Sequence, residues 1–183
     1  MSFKVVLADT TAADYEVEQE VFLASDLDLD VRYLQTRDPA EFGPAVADAD
    51  AVVLSWAPFT RDVIAGLTRC RVIVRFGIGV DMIDLNAATE HGILVCNTAR
   101  YCIDEVSTHA IALLLMLNRQ LRPQLDAVRN GGWSARDVLP PRRLKGQRLG
   151  LIGSGNIGLA TASKARGLGL ETVAYDPFLQ ERN

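Results

Sequence analysis

The chain has 183 residues, 49% hydrophobic and 23% charged, the balance of one or two ordinary globular domains rather than a disordered segment. Its 19 basic residues fall short of its 23 acidic ones, a net charge of −4, and no Lys/Arg cluster supports a nucleic-acid or anionic-membrane partner. The opening apolar run ends at Asp9, too short for a signal-peptide core or a membrane span.

Strand-like runs then alternate with helical patterns. Val5-Val6-Leu7-Ala8 is a continuous apolar run, as expected of a strand covered on both faces. Leu27, Leu29, Val31 and Tyr33 alternate with Asp28, Asp30 and Arg32, the period of a half-exposed strand near an edge. Further strands are predicted at Ala51 to Leu54, Val72 to Val74 and Ile93 to Val95, with helix starts at Asp38-Pro39 and Thr60-Arg61-Asp62. Repeated strand-then-helix units predict a parallel sheet with helices on both faces, and residues 1–100 form one α/β domain on this reading.

The texture changes at Asp104. Ile103, Val106, Ala110, Leu113, Leu117 and Leu121 step by three or four, predicting a helix of about five turns. Asp104 and Glu105 suit its first turn and Arg119 and Arg122 its last, with Pro123 as a stop or kink. Apolar on more than one side, it is expected to lie between domains or at a subunit contact. Gly131 to Ser134 and Leu139-Pro140-Pro141 are predicted as loop. Leu149 to Ile152 then forms a strand, Asn156 to Leu168 a helix, and Glu171 to Tyr175 another strand.

Between that strand and helix lies Gly153-Ser154-Gly155-Asn156-Ile157-Gly158, a GxGxxG turn in the context that gives the motif meaning. Gly153 permits the tight turn, Gly155 lets the backbone approach a pyrophosphate, and Gly158 lets helix and strand pack closely. The free amides of Asn156 and Ile157 would face phosphate oxygens. Asp176, eighteen residues after Gly158, can accept from both ribose hydroxyls and would repel a 2′-phosphate, so NAD is the expected cofactor. The competing reading is a structural glycine turn followed by a chance acid.

With that turn placed after a complete α/β domain, the chain resembles the D-isomer-specific 2-hydroxyacid dehydrogenases, over about Val52 to Pro177. The motifs that carry the resemblance are Arg75-Phe76-Gly77-Ile78-Gly79-Val80-Asp81, His91 to Thr98, Asp104 to Arg119, Gly132-Trp133, Leu144-Lys145-Gly146 and the glycine turn. The match is nearest to the phosphoglycerate-dehydrogenase and C-terminal-binding-protein branches. The resemblance implies a flavodoxin-like, parallel-sheet substrate domain over 1–100, followed by an incomplete Rossmann dinucleotide-binding domain over 101–183. It also implies that the amides of Ile78 and Gly79 hold the substrate carboxylate, that Arg75 lies near the substrate, and that Thr98 touches the cofactor. Two glycines around Ile78 fit that role, because they free successive N–H groups to converge on an anion. Arg75 could instead form a surface ion pair, and Thr98 could simply cap a turn.

Two positions depart from the family pattern. Ala99 stands where proline is common, and Thr108 where an acid is common. His109, on a largely apolar helix, is expected to pack or to sit at an interface, and His91 to mark a turn. The family's acid–base histidine, its carboxylate partner and its substrate arginine would all lie beyond Asn183, so the catalytic residues are not assigned and the chain alone is expected to be inactive. A strand at Leu149 to Ile152 would also lack one neighbour.

The implied function is NAD-dependent hydride transfer to or from a small 2-hydroxy or 2-oxo acid, in a cytoplasmic homodimer. The alternatives are an NAD(H)-responsive, non-catalytic module of corepressor type, or a truncated fragment. Cys70, Cys96 and Cys102 lack zinc-type spacing and are expected to be reduced thiols, with no metal site.

Overall fold

The computed structural model describes residues 2–133 and 142–178. Ser134 and the predicted Leu139-Pro140-Pro141 loop lie outside the described residues. The chain divides into two compact units, Met1–Tyr101 and Cys102–Asn183.

The first unit alternates strand and helix as the apolar runs predict. Its elements are β1 (Phe3–Leu7), α1 (Glu16–Leu23), β2 (Leu29–Tyr33), α2 (Pro39–Val46), β3 (Ala51–Leu54), α3 (Arg61–Ala65), β4 (Val72–Arg75), α4 (Leu85–Glu90) and β5 (Leu94–Asn97). All adjacent strands pair in parallel, in the order β2-β1-β3-β4-β5. That is the flavodoxin-like order. β2 takes the edge, and its alternating burial leaves Asp30 and Arg32 exposed. The helix starts are fixed locally. Asp38 accepts from the Ala40 amide at 2.9 Å with Pro39 behind it, and Asp84 accepts from the Ala87 amide at 2.8 Å. His91 caps the end of α4 before Gly92, which has a positive φ.

Strand alternation splits the core. Val6, Val52, Leu54 and Ile73 face Phe42 and Val46 of α2, Ile64 of α3, and Ala87 and Ala88 of α4. The opposite face carries Val5, Leu7 and Val53 and is packed by Tyr15 and by Phe22 of α1. Phe42 and Phe59 are fully buried and stack with ring centres 5.3 Å apart. Tyr15 anchors the chain ahead of α1. Its hydroxyl donates to the Leu34 carbonyl and lies against Gln35, and its ring tilts on Tyr33.

The second unit holds α5 (Ile103–Asn118), α6 (Leu121–Arg129), β6 (Arg148–Ile152), α7 (Asn156–Gly167) and β7 (Glu171–Tyr175). The long helix departs from expectation. It ends at Asn118, Gln120 turns left-handed at φ 52°, and a second helix begins at Leu121. Pro123 therefore sits in the first turn of α6, where a missing N–H costs no helical bond, and does not stop α5. Arg122 belongs to α6 and pairs with Asp126, so it is not at the end of the helix it was expected to cap. α7 packs on α5 through Lys164, whose ammonium lies 2.6 Å from Asp104 Oδ1, 2.8 Å from Ser107 Oγ and 2.6 Å from Thr108 Oγ1. Among the described residues β6 pairs with β7 alone, in parallel, and Ile152 is 95% exposed.

Two outcomes test this packing. Truncating Phe42 to Ala should cost the first unit about 3–5 kcal/mol, seen as a lower urea midpoint. Burial, with the Asp9 and Glu18 charges adding to it, pushes the Tyr15 phenol up to about 12. The folded state therefore holds that proton more tightly than the unfolded chain does. The stabilisation is complete below pH 10 and is lost as pH rises toward 12. In urea melts, the stability gap between wild type and Tyr15→Phe should narrow across that window.

Candidate functional site

In a parallel sheet every loop that leaves a strand's carboxyl end emerges on the same edge, which is where such folds bind ligands. In the first unit this edge carries Asp9 after β1, Ser55-Trp56-Ala57 after β3, Arg75 to Gly79 at and after β4, and Thr98 after β5.

Asp9 is the anchor. It is 1% exposed and its Oδ1 accepts from the successive amides of Ser55, Trp56 and Ala57 at 2.9, 3.0 and 3.0 Å. Arg37 donates to its other oxygen at 3.1 Å. Three converging amides make an anion nest, here filled by the protein's own carboxylate. The segment so held carries Arg75. The Arg75 Nε donates to the Ser55 carbonyl at 3.1 Å, and the guanidinium lies 5.0 Å from the centre of the Trp56 ring. Arg75 is 7% exposed and has no ion pair among the described residues, so the surface-pair reading fails. Gly77, at φ 147°, leaves room for it: a Cβ there would collide with the guanidinium.

The loop after β4 is pinned by its carbonyls. Gly77 O accepts from the Thr98 amide at 3.1 Å, and Ile78 O accepts from Asn97 Nδ2 at 2.6 Å. The amides of Ile78 and Gly79 donate to nothing among the described residues. Arg75, Ile78, Gly79 and Thr98 thus belong to one loop cluster, with two unpaired N–H groups on it.

The second unit builds its own edge. β6 runs into Gly153, at φ 93°, whose amide donates to the Tyr175 carbonyl at 2.7 Å. Gly155 caps α7, and nothing stands within 4 Å of where its Cβ would be. A Cβ on Gly158 would run into the Gly153 carbonyl, so helix and turn can approach only with glycine there. The first amides of α7, on Asn156 and Ile157, have no partner within the helix. Asp176, half-buried at the end of β7, accepts from the Ser154 amide at 2.8 Å and from its hydroxyl at 2.9 Å. A backbone left open at Gly155, amides at a helix start and a carboxylate on the adjacent strand end fit a dinucleotide's pyrophosphate and ribose.

Sequence reading missed Asp9, Ser55, Trp56 and Asn97. Asp9 left one trace, a charged residue closing an apolar central strand. Trp56 and Asn97 left none, since each acts only through a neighbour brought near by the sheet. His109 is exposed on α5 rather than packed within its unit. Neither histidine has an ion pair with a carboxylate among the described residues, where no cluster of metal-ligand type occurs and the three cysteines are free. Among the described residues no helix is long and apolar enough to cross a membrane.

A sequence model of the D-isomer specific 2-hydroxyacid dehydrogenase catalytic domain matches residues 5–175. The chain is similar to D-3-phosphoglycerate dehydrogenase of Mycobacterium leprae, with 31% identity over 152 residues, or 82% of this chain and 29% of that protein. The corresponding figures for D-3-phosphoglycerate dehydrogenase of Archaeoglobus fulgidus are 37% over 131 residues, 71% and 24%. The solved D-lactate dehydrogenase of Aquifex aeolicus, complexed with NAD and lactic acid, matches at TM-score 0.81 and 26% identity, covering 94% of this chain and 51% of that one. The chain thus spans under a third of these curated relatives and about half of that solved chain.

If Asp9 holds the nest, Asp9→Ala leaves three amides, two of them buried, and Arg37 without their acceptor and should cost about 3–5 kcal/mol. Tryptophan emission should also change, because the Trp56 loop is released from Arg75. An unchanged melt with unchanged emission would contradict this role.

Proposed function

Because the chain belongs to the D-isomer specific 2-hydroxyacid dehydrogenase family, whose members are NAD-dependent oxidoreductases, we propose that its two edges hold the two reactants of that chemistry. The cofactor reading rests chiefly on the turn from Gly153 to Gly158 with Asp176 beside it. The amides of Asn156 and Ile157 would take the pyrophosphate, with Gly155 allowing its approach and the α7 dipole favouring its charge. Asp176 would accept from the ribose hydroxyls and, being anionic, disfavour a 2′-phosphate, so the cofactor is NAD. When bound, NAD supplies or accepts the hydride.

The substrate is a small 2-hydroxy or 2-oxo acid. Its carboxylate sits on the unpaired amides of Ile78 and Gly79, and the observation that carries this assignment is that the carbonyls of Gly77 and Ile78 are engaged while the amides of Ile78 and Gly79 are not. Arg75, a buried cation without an ionic partner among the described residues, adds positive potential at the same loop. What these residues do is bind and orient. Proton transfer needs a positioned acid–base group, and neither His91 nor His109 has a carboxylate to orient it among the described residues. We therefore propose that the 183 residues by themselves bind without appreciable turnover. The same observation favours, as a second reading, an NAD(H)-responsive binding module.

Association as a homodimer is proposed for the exposed apolar residues Leu113, Met116 and Leu117 of α5 and Leu121, Leu125 and Val128 of α6. A cytoplasmic setting agrees with the three free thiols.

The test is a fluorescence titration of the purified chain. NADH should bind, and Asp176→Ala should weaken it by about tenfold or more, the loss of hydrogen bonds to a charged acceptor. A panel of 2-hydroxy and 2-oxo acids should show negligible turnover. Failure to bind NADH, or robust turnover by these 183 residues, would contradict the proposal.

A further inference from the structure

Ser154 is the second residue of the glycine turn, a position to which the turn's own geometry assigns no task. Both of its donors nevertheless go to one atom. The Ser154 amide and hydroxyl donate to Asp176 Oδ2 at 2.8 and 2.9 Å, while the Phe178 amide donates to Oδ1 at 3.0 Å. Ser154 is 7% exposed, so its bonds face little competition from water. The carboxylate that closes β7 is thereby tied to the turn that opens α7.

We propose that Ser154 is a positioning residue for cofactor choice: by pinning Asp176 it sharpens the preference for a ribose diol over a 2′-phosphorylated ribose. The inference rests on the reading of this turn as a dinucleotide seat and adds to it the residue that sets its selectivity. A carboxylate on a strand end can rotate about two side-chain torsions. A mobile one can swing away from an incoming 2′-phosphate and relieve the repulsion. One held by two donors to the same oxygen can leave only by breaking both charge-assisted bonds, whose donor residue Ser154 is buried. The same restraint presents the acceptor to the diol in advance, so less ordering is needed when the cofactor arrives. The backbone donor is common to any residue at this position. The hydroxyl is particular to serine or threonine, so it can be removed by itself.

The experiment compares wild type, Ser154→Ala, Ser154→Thr and Ser154→Cys in the full 183-residue chain, titrating NADH and NADPH separately by nicotinamide fluorescence. Wild type should prefer NADH. In Ser154→Ala that preference should fall by about tenfold, the worth of one hydrogen bond to a charged acceptor. Ser154→Thr should keep the wild-type ratio, and Ser154→Cys, a weak donor of similar size, should behave as the alanine variant does. The cysteine variant decides the matter if the alanine variant does not fold. A purely structural role would weaken both cofactors alike and leave the ratio unchanged, and that result overturns the proposal. So does a threonine variant that loses selectivity as the others do. Failure of wild type to bind either cofactor overturns the seat itself and this inference with it. Selective wild-type binding with an unaltered ratio in the alanine and cysteine variants overturns only the role of Ser154.

Discussion

Helix α7 can lie as close as it does to the turn before it because Gly158 has no side chain. The carbonyl of Gly153 occupies the space that any Cβ at position 158 would need, so the helix lies against the turn that precedes it. That approach has consequences along the whole second unit. It leaves the backbone at Gly155 uncovered beside the first amides of α7, which have no partner within the helix. It also brings Ser154 within hydrogen-bond reach of the acid that ends the neighbouring strand. The amides are thus fixed by backbone packing and the carboxylate by the amide and hydroxyl of Ser154, the condition under which a polar site binds with little reorganisation.

The first unit applies the same geometry with a different outcome. Its strands also deliver their loops to one edge, and three successive amides converge there on an anion, but the anion is Asp9 of the chain itself. The nest is consumed in holding a loop. What it holds is the carbonyl and the ring that steady Arg75. Beside it, the loop after β4 spends the carbonyls of Gly77 and Ile78 on Thr98 and Asn97 and, among the described residues, keeps the amides of Ile78 and Gly79 unspent. One set of amides serves structure, and the next one along the edge has the form of a binding site.

Much of this could be seen in the residue order. The strands β3 and β7 have the predicted bounds, and β3 begins and ends with its apolar run because Asp50 and Ser55 flank it. The edge position of β2 follows from its alternation, and the glycine turn from its spacing between a strand and a helix. Pro123 signalled a stop or kink nearby, but the break at Gln120 and the second helix after it were not visible. The apolar stripe continues through it, and Gln120 takes a left-handed conformation that a residue with a side chain adopts at a cost of roughly 1–2 kcal/mol, with no local signature. The role of Asp9 was hidden for another reason. The three amides it holds lie 46 to 48 positions away, and backbone amides leave no mark on side-chain pattern. The bond from Ser154 to Asp176 is of the same kind, since both residues sit in the motif but only the fold shows that they meet.

The account turns on the second unit's edge being a dinucleotide seat, and amide-resolved NMR tests that most directly. Adding NAD to isotope-labelled chain should shift the signals of Gly155, Asn156, Ile157 and the residues flanking Asp176, in a saturable way. Shifts confined to other residues, or a spectrum unchanged at millimolar NAD, would contradict it.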